Sequence, residues 1–292
     1  MRNGFLITII LLFSVKMFAQ IGDKLTQLPP DEVARYVQPL ATASGTYFNS
    51  GGYFKANVSK GFGLKVSIVG MQIYIPEEQK TFTVHPYDGY TGNEESATFF
   101  GDKGAAIAGP NGYIVYPPGL NLSSLPAGIP QVAVSFFGAE AMLRYFPKMH
   151  ISDVDLDLLG FGIKYNFTGL IPKFPVDIAV QVLINNFEAI HPNAEIKTAN
   201  IAANIHASKK FEMLILYGGV QYEKTSMDLN YTFDGLGFPG VMPNDKIEVN
   251  VDGENSMRFT AGVAVELGVL ALNVDYNIGN QNVIVAGLNF EF

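Results

Sequence analysis

Apolar and polar side chains alternate along much of the second half of the chain. In the last stretch, Asn282–Phe292, residues 284, 286, 288, 290 and 292 are apolar, whereas the residues between them run from mixed to polar. Seven earlier stretches of nine residues repeat the alternation, at 137–145, 159–167, 176–184, 199–207, 214–222, 259–267 and 270–278. A period of two predicts β-strands whose two faces meet different surroundings.

The length of these stretches indicates what the apolar faces meet. A tilted strand needs about nine to eleven residues to cross the hydrocarbon layer of a membrane. The apolar positions also become polar beyond one end of several stretches, as at Lys224 and Asp228 after Tyr222. We therefore predict an all-β fold, an antiparallel transmembrane β-barrel whose strands continue above the membrane into water.

The first half of the chain is less regular. We predict one strand over Phe54–Val58 and its partner over Phe62–Ile68. The expected total is then about ten strands, with about twelve to fourteen as the alternative. From 76 to 130 the pattern gives way to sequence rich in Gly, Pro and Tyr. So long an insert plugs the lumen, packs as a periplasmic or surface loop, or contains two weak strands.

The chain divides into three predicted parts. A basic start at Arg2, an apolar run over 4–15 and Ala19 before Gln20 predict a signal peptide at 1–19. The apolar run is too short for a spanning helix. An amino-terminal segment at 20–44, which could enter the lumen as a hatch, precedes the barrel at 45–292. The predicted location is the outer membrane of a Gram-negative cell.

The connections between strands set their direction. Counting back from a periplasmic carboxy terminus, the connections at Gly268, Ser208–Lys210 and Thr168–Pro175 fall on the periplasmic side. The longer connections Asp234–Lys246 and Ala189–Ala194 then lie outside the cell, and long outer loops are typical of such barrels.

Composition excludes several classes of protein. The chain has no Cys, so it has neither a disulfide framework nor a lipidated Cys. With 27 acidic and 19 basic residues it offers no basic patch for nucleic acid. The four His residues do not have metal-ligand spacing, and we find no nucleophile motif. We predict no catalytic residue, cofactor or metal, and a protein that is not an enzyme.

The alternating strands, the signal peptide and the terminal Asn289–Phe292 resemble Gram-negative outer-membrane β-barrels. More narrowly, the chain is similar to uncharacterised barrel families distantly similar to long-chain fatty-acid transporters. This narrower likeness lies in the long segment before Tyr53, the Asn49–Gly52 entry to the first strand, and the strands that run past the membrane. It implies an amino-terminal hatch and assigns no ligand-site residue.

Polar chemistry must lie on the inward positions, because a charge that faces mid-bilayer lipid costs about 2–4 kcal/mol. Antiparallel pairing sets Glu140 opposite Lys164 and predicts an internal ion pair. These side chains either fill a narrow barrel as a structural network or line a path for a solute. The predicted lumen-lining residues are Glu140, Arg144, Lys164, Asp177, Gln181, His206, Tyr217, Arg258, Glu266 and Asp275.

Three classes of function follow. The first is binding or passage of small, partly hydrophobic molecules, favoured by the apolar inward side chains Met213, Ile215 and Tyr217. The second is a structural or surface-interaction barrel without transport, and the third is an outer-membrane enzyme. The expected partners are membrane lipid and lipopolysaccharide, a small hydrophobic ligand, and the barrel-assembly machinery through Phe292. The carboxylates Asp153, Asp155 and Asp157 could bridge divalent cations to lipopolysaccharide phosphates.

Overall fold

The computed structural model describes residues 24–85, 94–109, 112–168, 171, 174–233 and 242–292. The predicted signal peptide at 1–19 lies outside these ranges, and so does most of the predicted loop Asp234–Lys246. Within the described residues, no helix has the length and apolarity needed to cross a lipid bilayer.

In the described chain, helix α1 (Pro30–Asn49) precedes the β-strands. Pro30 stands in the first turn of α1, where its missing N–H costs nothing, and Asp31 and Glu32 complement the helix dipole. The strands that form the main sheet are β1 (Gly63–Tyr74), β6 (Ser124–Phe136), β7 (Ala139–Ile151), β8 (Val154–Asn166), β9 (Asp177–His191), β10 (Ala194–Phe211), β11 (Leu214–Thr232), β12 (Lys246–Asp252), β13 (Met257–Leu267), β14 (Leu270–Ile278) and β15 (Val283–Glu291). Two short ribbons lie between β1 and β6, formed by β2 (Thr81–Thr83) with β3 (Glu95–Ala97) and by β4 (Ala106–Gly109) with β5 (Gly112–Val115).

The main sheet closes on itself. Its order is β10-β9-β8-β7-β6-β1-β15-β14-β13-β11, and a further pairing of β10 with β11 completes the ring. β12 and β13 pair with different parts of β11 and together occupy one position in the ring. The predicted antiparallel barrel of ten strands is therefore confirmed.

The two ends of the barrel differ. The carboxy-terminal end holds Phe292, the start of β1 and the turn at Gly268. The opposite end, which we call the insert end, carries residues 75–123 between β1 and β6. The turn predicted at Ser208–Lys210 is wrong, because β10 continues to Phe211 and turns at Glu212, whose φ is 53°.

The outer surface of the carboxy-terminal half is an apolar belt. Phe161, Val182 and Val274 are 56%, 45% and 52% exposed, and similar side chains occur on each strand of the ring. The inward positions of the same strands are buried and mainly polar. This is the reverse of the arrangement in a water-soluble protein, which rarely exposes so large an apolar surface.

The insert half has the opposite arrangement, and β11 contains the change. From Leu214 to Tyr222 its outward side chains are apolar, whereas from Lys224 to Thr232 they are polar. On this part of β11 the inward side chains are the apolar ones, since Met227, Leu229 and Tyr231 are buried. The insert half is therefore packed like a soluble protein, as the predicted rise of the strands above the membrane requires.

The strand predicted over Phe54–Val58 is wrong. These residues alternate in sequence, but they lie inside the barrel, where Phe54, Ala56 and Val58 are buried among wall side chains. The strand missing from the prediction is β6, whose first part, 124–130, is the end of the predicted insert 76–130. The total of about ten strands was thus right although one member was misplaced.

β6 was hidden by its prolines. It pairs with β1 along Ser124–Ser135 but with β7 only over Gln131–Phe136. Its first half is therefore an edge, and prolines are tolerated at an edge because they donate no hydrogen bond. The pairing with β1 continues past Pro126 and Pro130. The backbone nitrogens of these prolines, which carry no N–H, therefore point towards β7 and not towards β1.

Candidate functional site

The lumen is filled by the chain that precedes β1. Helix α1 enters at the insert end, and residues 50–62 continue towards the carboxy-terminal end, where β1 begins. We call residues 30–62 the lumen segment. Most of α1 is buried all around its circumference, as expected for a helix enclosed by a wall. We expected the segment 20–44 to enter the lumen as a hatch. The helix α1, however, continues past the predicted boundary between residues 44 and 45 and ends at Asn49.

Wall side chains hold the end of α1. Arg144, which is 1% exposed, donates from Nη1 to the carbonyl oxygen of Phe48 at 2.7 Å and from Nη2 to that of Ser50 at 2.9 Å. A cation at this position satisfies free carbonyls and complements the negative end of the helix dipole. The helix stops here because Gly51 adopts a φ of +66°, which favours glycine.

Amides from other strands continue this contact. Asn185 donates to Phe48 O at 2.9 Å, and Gln221 donates to Asn49 O at 3.0 Å. Gln181, a predicted lumen residue, donates to Gly52 O at 3.0 Å. These donors stand on β9 and β11, and Arg144 stands on β7, so the lumen segment is clasped from several sides.

Close approach also fixes α1. A Cβ built on Gly45 would lie 3.2 Å from the Cβ of Thr225 on β11 and closer still to its hydroxyl. Only glycine allows the helix backbone to come so near the wall. On another side, the Tyr47 hydroxyl donates to the carbonyl oxygen of Gly128 at 2.6 Å, beside the free edge of β6.

An aromatic contact follows below the helix. The ring of Tyr53 stacks on that of His206 with 3.9 Å between centroids and 12° between planes. Phe54 lies in a buried cluster with Ile215 and Tyr217. The apolar inward surface predicted on β11 is therefore covered by the lumen segment, and Met213, predicted with it, is exposed at the turn.

Ionic contacts hold the segment near the carboxy-terminal end. Lys55 Nζ lies 2.6 Å from a carboxylate oxygen of Glu266 and 2.6 Å from one of Glu291. Lys210 also pairs with Glu266. Lys55 lies in the segment that was predicted as a strand, so sequence reasoning did not place it beside these carboxylates.

The predicted pair of Glu140 and Lys164 is confirmed. The two residues are directly opposite in the β7–β8 register, and Lys164 Nζ lies 3.1 Å from Glu140 Oε1. Lys65 of β1 adds a second cation at 2.9 Å from the same oxygen. Sequence reasoning missed Lys65, although the alternation of β1 places it on the inward face with Ser67 and Val69.

The other predicted lumen residues also point inward. Arg258 forms an ion pair with Glu223 at 2.7 Å, and Tyr217 donates to Asp275 at 2.6 Å. Asp177 is half-buried at the carboxy-terminal end and lines a cavity of about 190 Å³ beside Lys55. In this structure the ten residues contact other wall side chains or the lumen segment, as Arg258 does with Glu223 and Asp177 with Asn166.

A larger cavity opens at the insert end. Its volume is about 560 Å³, which is within the range of small-molecule sites. It lies between the first half of α1, the insert, and the turn before β15. The insert packs over α1 here, since Phe99 N donates to Tyr36 O at 2.9 Å and the Phe99 side chain is fully buried.

The acidic run on β8 has a different environment from the one proposed. Asp155 is bonded to His150 Nδ1 at 2.8 Å and lies 3.4 Å from Lys148 Nζ. The hydrogen bond from His150 is the main cause that holds the pKa of the Asp155 carboxyl below its usual value. Among the described residues, no group of three or more His, Asp or Glu side chains is arranged to hold a metal ion.

The family comparison covers the whole chain. A family model described as "Family of unknown function (DUF6588)" matches residues 1–292. The chain belongs to the DUF6588 family. No curated protein matches the sequence.

Solved structures give weaker likenesses to this DUF6588 member. The β domain of the Bordetella autotransporter Brka has a TM-score of 0.34 and 8% identity, over 80% of this chain and 100% of that chain. The translocator domain of autotransporter NalP from Neisseria meningitidis has a TM-score of 0.32 and 8% identity, over 90% of this chain and 97% of that chain. The outer-membrane channel DcaP of Acinetobacter baumannii has a TM-score of 0.21 and 8% identity, over 82% of this chain and 100% of that chain. The expected similarity to fatty-acid transporters is not shown by these matches.

Proposed function

We propose that this DUF6588 protein is an outer-membrane β-barrel that binds small, partly hydrophobic molecules at its insert end. Passage of such molecules through the barrel would require the lumen segment to move. The single observation that carries the proposal is the cavity of about 560 Å³ above a lumen that the chain itself fills.

The reversal of polarity along β11 supports the membrane location. A side chain at Leu216 or Val220 gains about 25 cal/mol per Å² of apolar surface when lipid replaces water. Lys224 and Asp228, on the same face, need water instead. The outward side chains of β11 thus suit lipid in one half of the strand and water in the other. In this proposal, the change from apolar to polar side chains lies at the outer surface of the bilayer. The insert end then faces away from the periplasm, with Phe292 on the periplasmic side for recognition by the barrel-assembly machinery.

Membrane insertion can be tested directly. The mature protein should require detergent, float with liposomes, and migrate differently on gels before and after boiling, because closed barrels resist unfolding by detergent. A freely water-soluble monomer without detergent would contradict the proposed location.

A disulfide can test whether passage depends on movement of α1. The chain has no Cys, and a Cβ built at position 45 lies 3.2 Å from the Thr225 Cβ, below the span of about 3.5–4.5 Å in disulfides, so α1 must withdraw by a few tenths of an ångström for the bond to form. The variant G45C/T225C should therefore lock the helix to β11 when oxidised. The single variant T225C, which keeps Gly45 and is treated with the same oxidant, is the matched control.

The assay is uptake of small polar and apolar solutes into liposomes that contain the variant. Movement of α1 predicts more uptake after reduction than after oxidation, and no such difference in the control. Equal uptake in both redox states would contradict the need for movement of α1. No uptake in either state, with solute binding retained, would leave binding without passage as the function, and loss of binding as well would favour the alternative of a structural or surface-interaction barrel without transport.

A further inference from the structure

The insert-end cavity has a defined chemical character. Its walls combine the apolar surfaces of Ala34, Pro39 and Phe82 with carboxylates of Glu78 and Glu254. A volume of about 560 Å³ suffices for a molecule with one aromatic ring and a short polar arm. The charge that such an arm should carry depends on the charged side chains of the cavity wall.

The charges on the cavity wall leave a negative excess. Arg35 is the cation among the lining residues, but Glu32 lies 3.1 Å from its Nη1 and offsets its charge. Glu254 accepts a hydrogen bond from the neutral amide of Gln79 at 3.3 Å. Glu78 is exposed on the wall of the cavity. Two carboxylates are therefore not offset by the cation of the lining.

The surrounding surface adds to this field. The insert end comprises the described residues of 24–49, 74–123, 147–158, 186–198, 224–233, 242–256 and 279–282. It carries 17 acidic and 8 basic side chains, whereas the rest of the described chain carries 7 acidic and 8 basic. A cleft inside a surface of one sign concentrates ions of the opposite sign.

A buried acceptor lies beside the same cavity. Gln281 is fully buried, and its amide nitrogen donates to Pro39 O at 3.1 Å and to Gln79 Oε1 at 2.7 Å, both on lining residues. Its Oε1 has no hydrogen-bond partner among the described residues. The Gln281 side chain lies outside the cavity lining, so its contribution is to fix Pro39 and Gln79 in the wall, where Gln79 in turn donates to Glu254.

We propose that this cavity binds small organic cations, of the class of primary ammonium ions attached to an aromatic or aliphatic body. The ammonium would lie near Glu78 and Glu254, and the apolar body would lie against Phe82 and Pro39. This inference rests on the proposed function, because it names the class of molecule that the insert-end cavity takes.

The test uses three probes of one shape. Benzylammonium, benzyl alcohol and benzoate are titrated calorimetrically into the full barrel in phosphatidylcholine nanodiscs, with empty nanodiscs as the blank. Benzylammonium should bind about tenfold more tightly than benzyl alcohol, since a difference of about 1.4 kcal/mol is tenfold in affinity and two nearby carboxylates can supply it. Benzoate should bind more weakly than either, and the cation preference should fall as salt is raised.

Two double variants localise the effect. E78Q/E254Q should abolish the preference for the cation and keep binding of benzyl alcohol. D153N/D157N removes the same charge from β8 and the turn before it, away from the cavity lining, and should keep most of the preference. Both variants change exposed or half-buried positions, and unchanged heat-dependent gel migration verifies their fold.

The outcomes separate the two proposals. Equal affinities for the three probes would overturn the cation inference and leave the proposed binding function standing. An equal loss of preference in both double variants would also overturn it, because the selectivity would then come from the whole surface. Absence of binding by all three probes would overturn the binding function together with the inference.

Discussion

Replacing Arg144 by Met should loosen the lumen segment without opening the barrel wall. The variant leaves the carbonyl oxygen of Ser50 without its donor, while Phe48 O keeps its bond from Asn185. An unsatisfied buried acceptor costs about 1–3 kcal/mol. Loss of a cation from a buried helix end adds up to about 2 kcal/mol. Methionine is shorter than arginine but has a similar volume and an apolar side chain, so the variant tests mainly the charge and the donors.

Hydrogen exchange followed by mass spectrometry measures this effect. We expect about 3 kcal/mol less protection, which corresponds to exchange faster by about two orders of magnitude over residues 46–54. Strand peptides from β13–β15 should keep their protection. The variant R144K retains the charge but loses the two-pronged geometry, so its exchange should be intermediate. Unchanged exchange over 46–54 in a well-folded R144M barrel would refute the assignment of Arg144 as the residue that holds the segment.

Other contacts give further predictions. Glu140→Gln should lower the free energy of unfolding in detergent by about 3–5 kcal/mol, because it leaves Lys65 and Lys164 buried without their carboxylate, and Lys164→Met should cost less, because Lys65 still pairs with Glu140. The double variant should lose less than the sum, and additive losses would contradict coupling. Tyr47→Phe should cost about 1 kcal/mol in the same assay, and no loss would show that its hydroxyl adds nothing at the edge of β6. His150→Ala should raise the pKa of Asp155 towards its ordinary 3.8 in an NMR titration. Since the folded pKa is lowered, the contact stabilises above pH 3.8 and is lost as pH falls through the folded value. An unchanged Asp155 pKa in the variant would contradict this cause.

The barrel could be predicted from sequence because lipid imposes a simple rule on its strands. Over 159–165 in β8, 180–184 in β9 and 272–278 in β14, every second side chain is apolar and exposed, and the others face a mainly polar interior, so the pattern alone identifies face and approximate length. The same rule placed Glu140 opposite Lys164, since register follows from pairing once the faces are known.

The alternation pattern gave a wrong prediction for a segment that contacts neither lipid nor water. Phe54, Ala56 and Val58 alternate like a strand, but the neighbours of the segment are wall side chains, which impose no period of two. β6 failed for the opposite reason, because Pro126 and Pro130 suggest a loop unless one knows that half of the strand is an edge. The contacts of Lys55 and Arg144 depend on the path of the lumen segment, so no local pattern contains them.

The structure of the lumen favours binding over axial passage. In the insert half, the inward side chains Met227, Leu229 and Val251 are apolar and buried against α1 and the insert. Removing α1 would expose this apolar surface to water, so the helix is part of the core of that half rather than a removable stopper. The part held mainly by polar and ionic contacts is residues 50–62, which lies beyond α1 for any solute arriving from the insert end. A solute can therefore reach the cavity with α1 in place, but it can cross the barrel only at the expense of the core that builds the cavity.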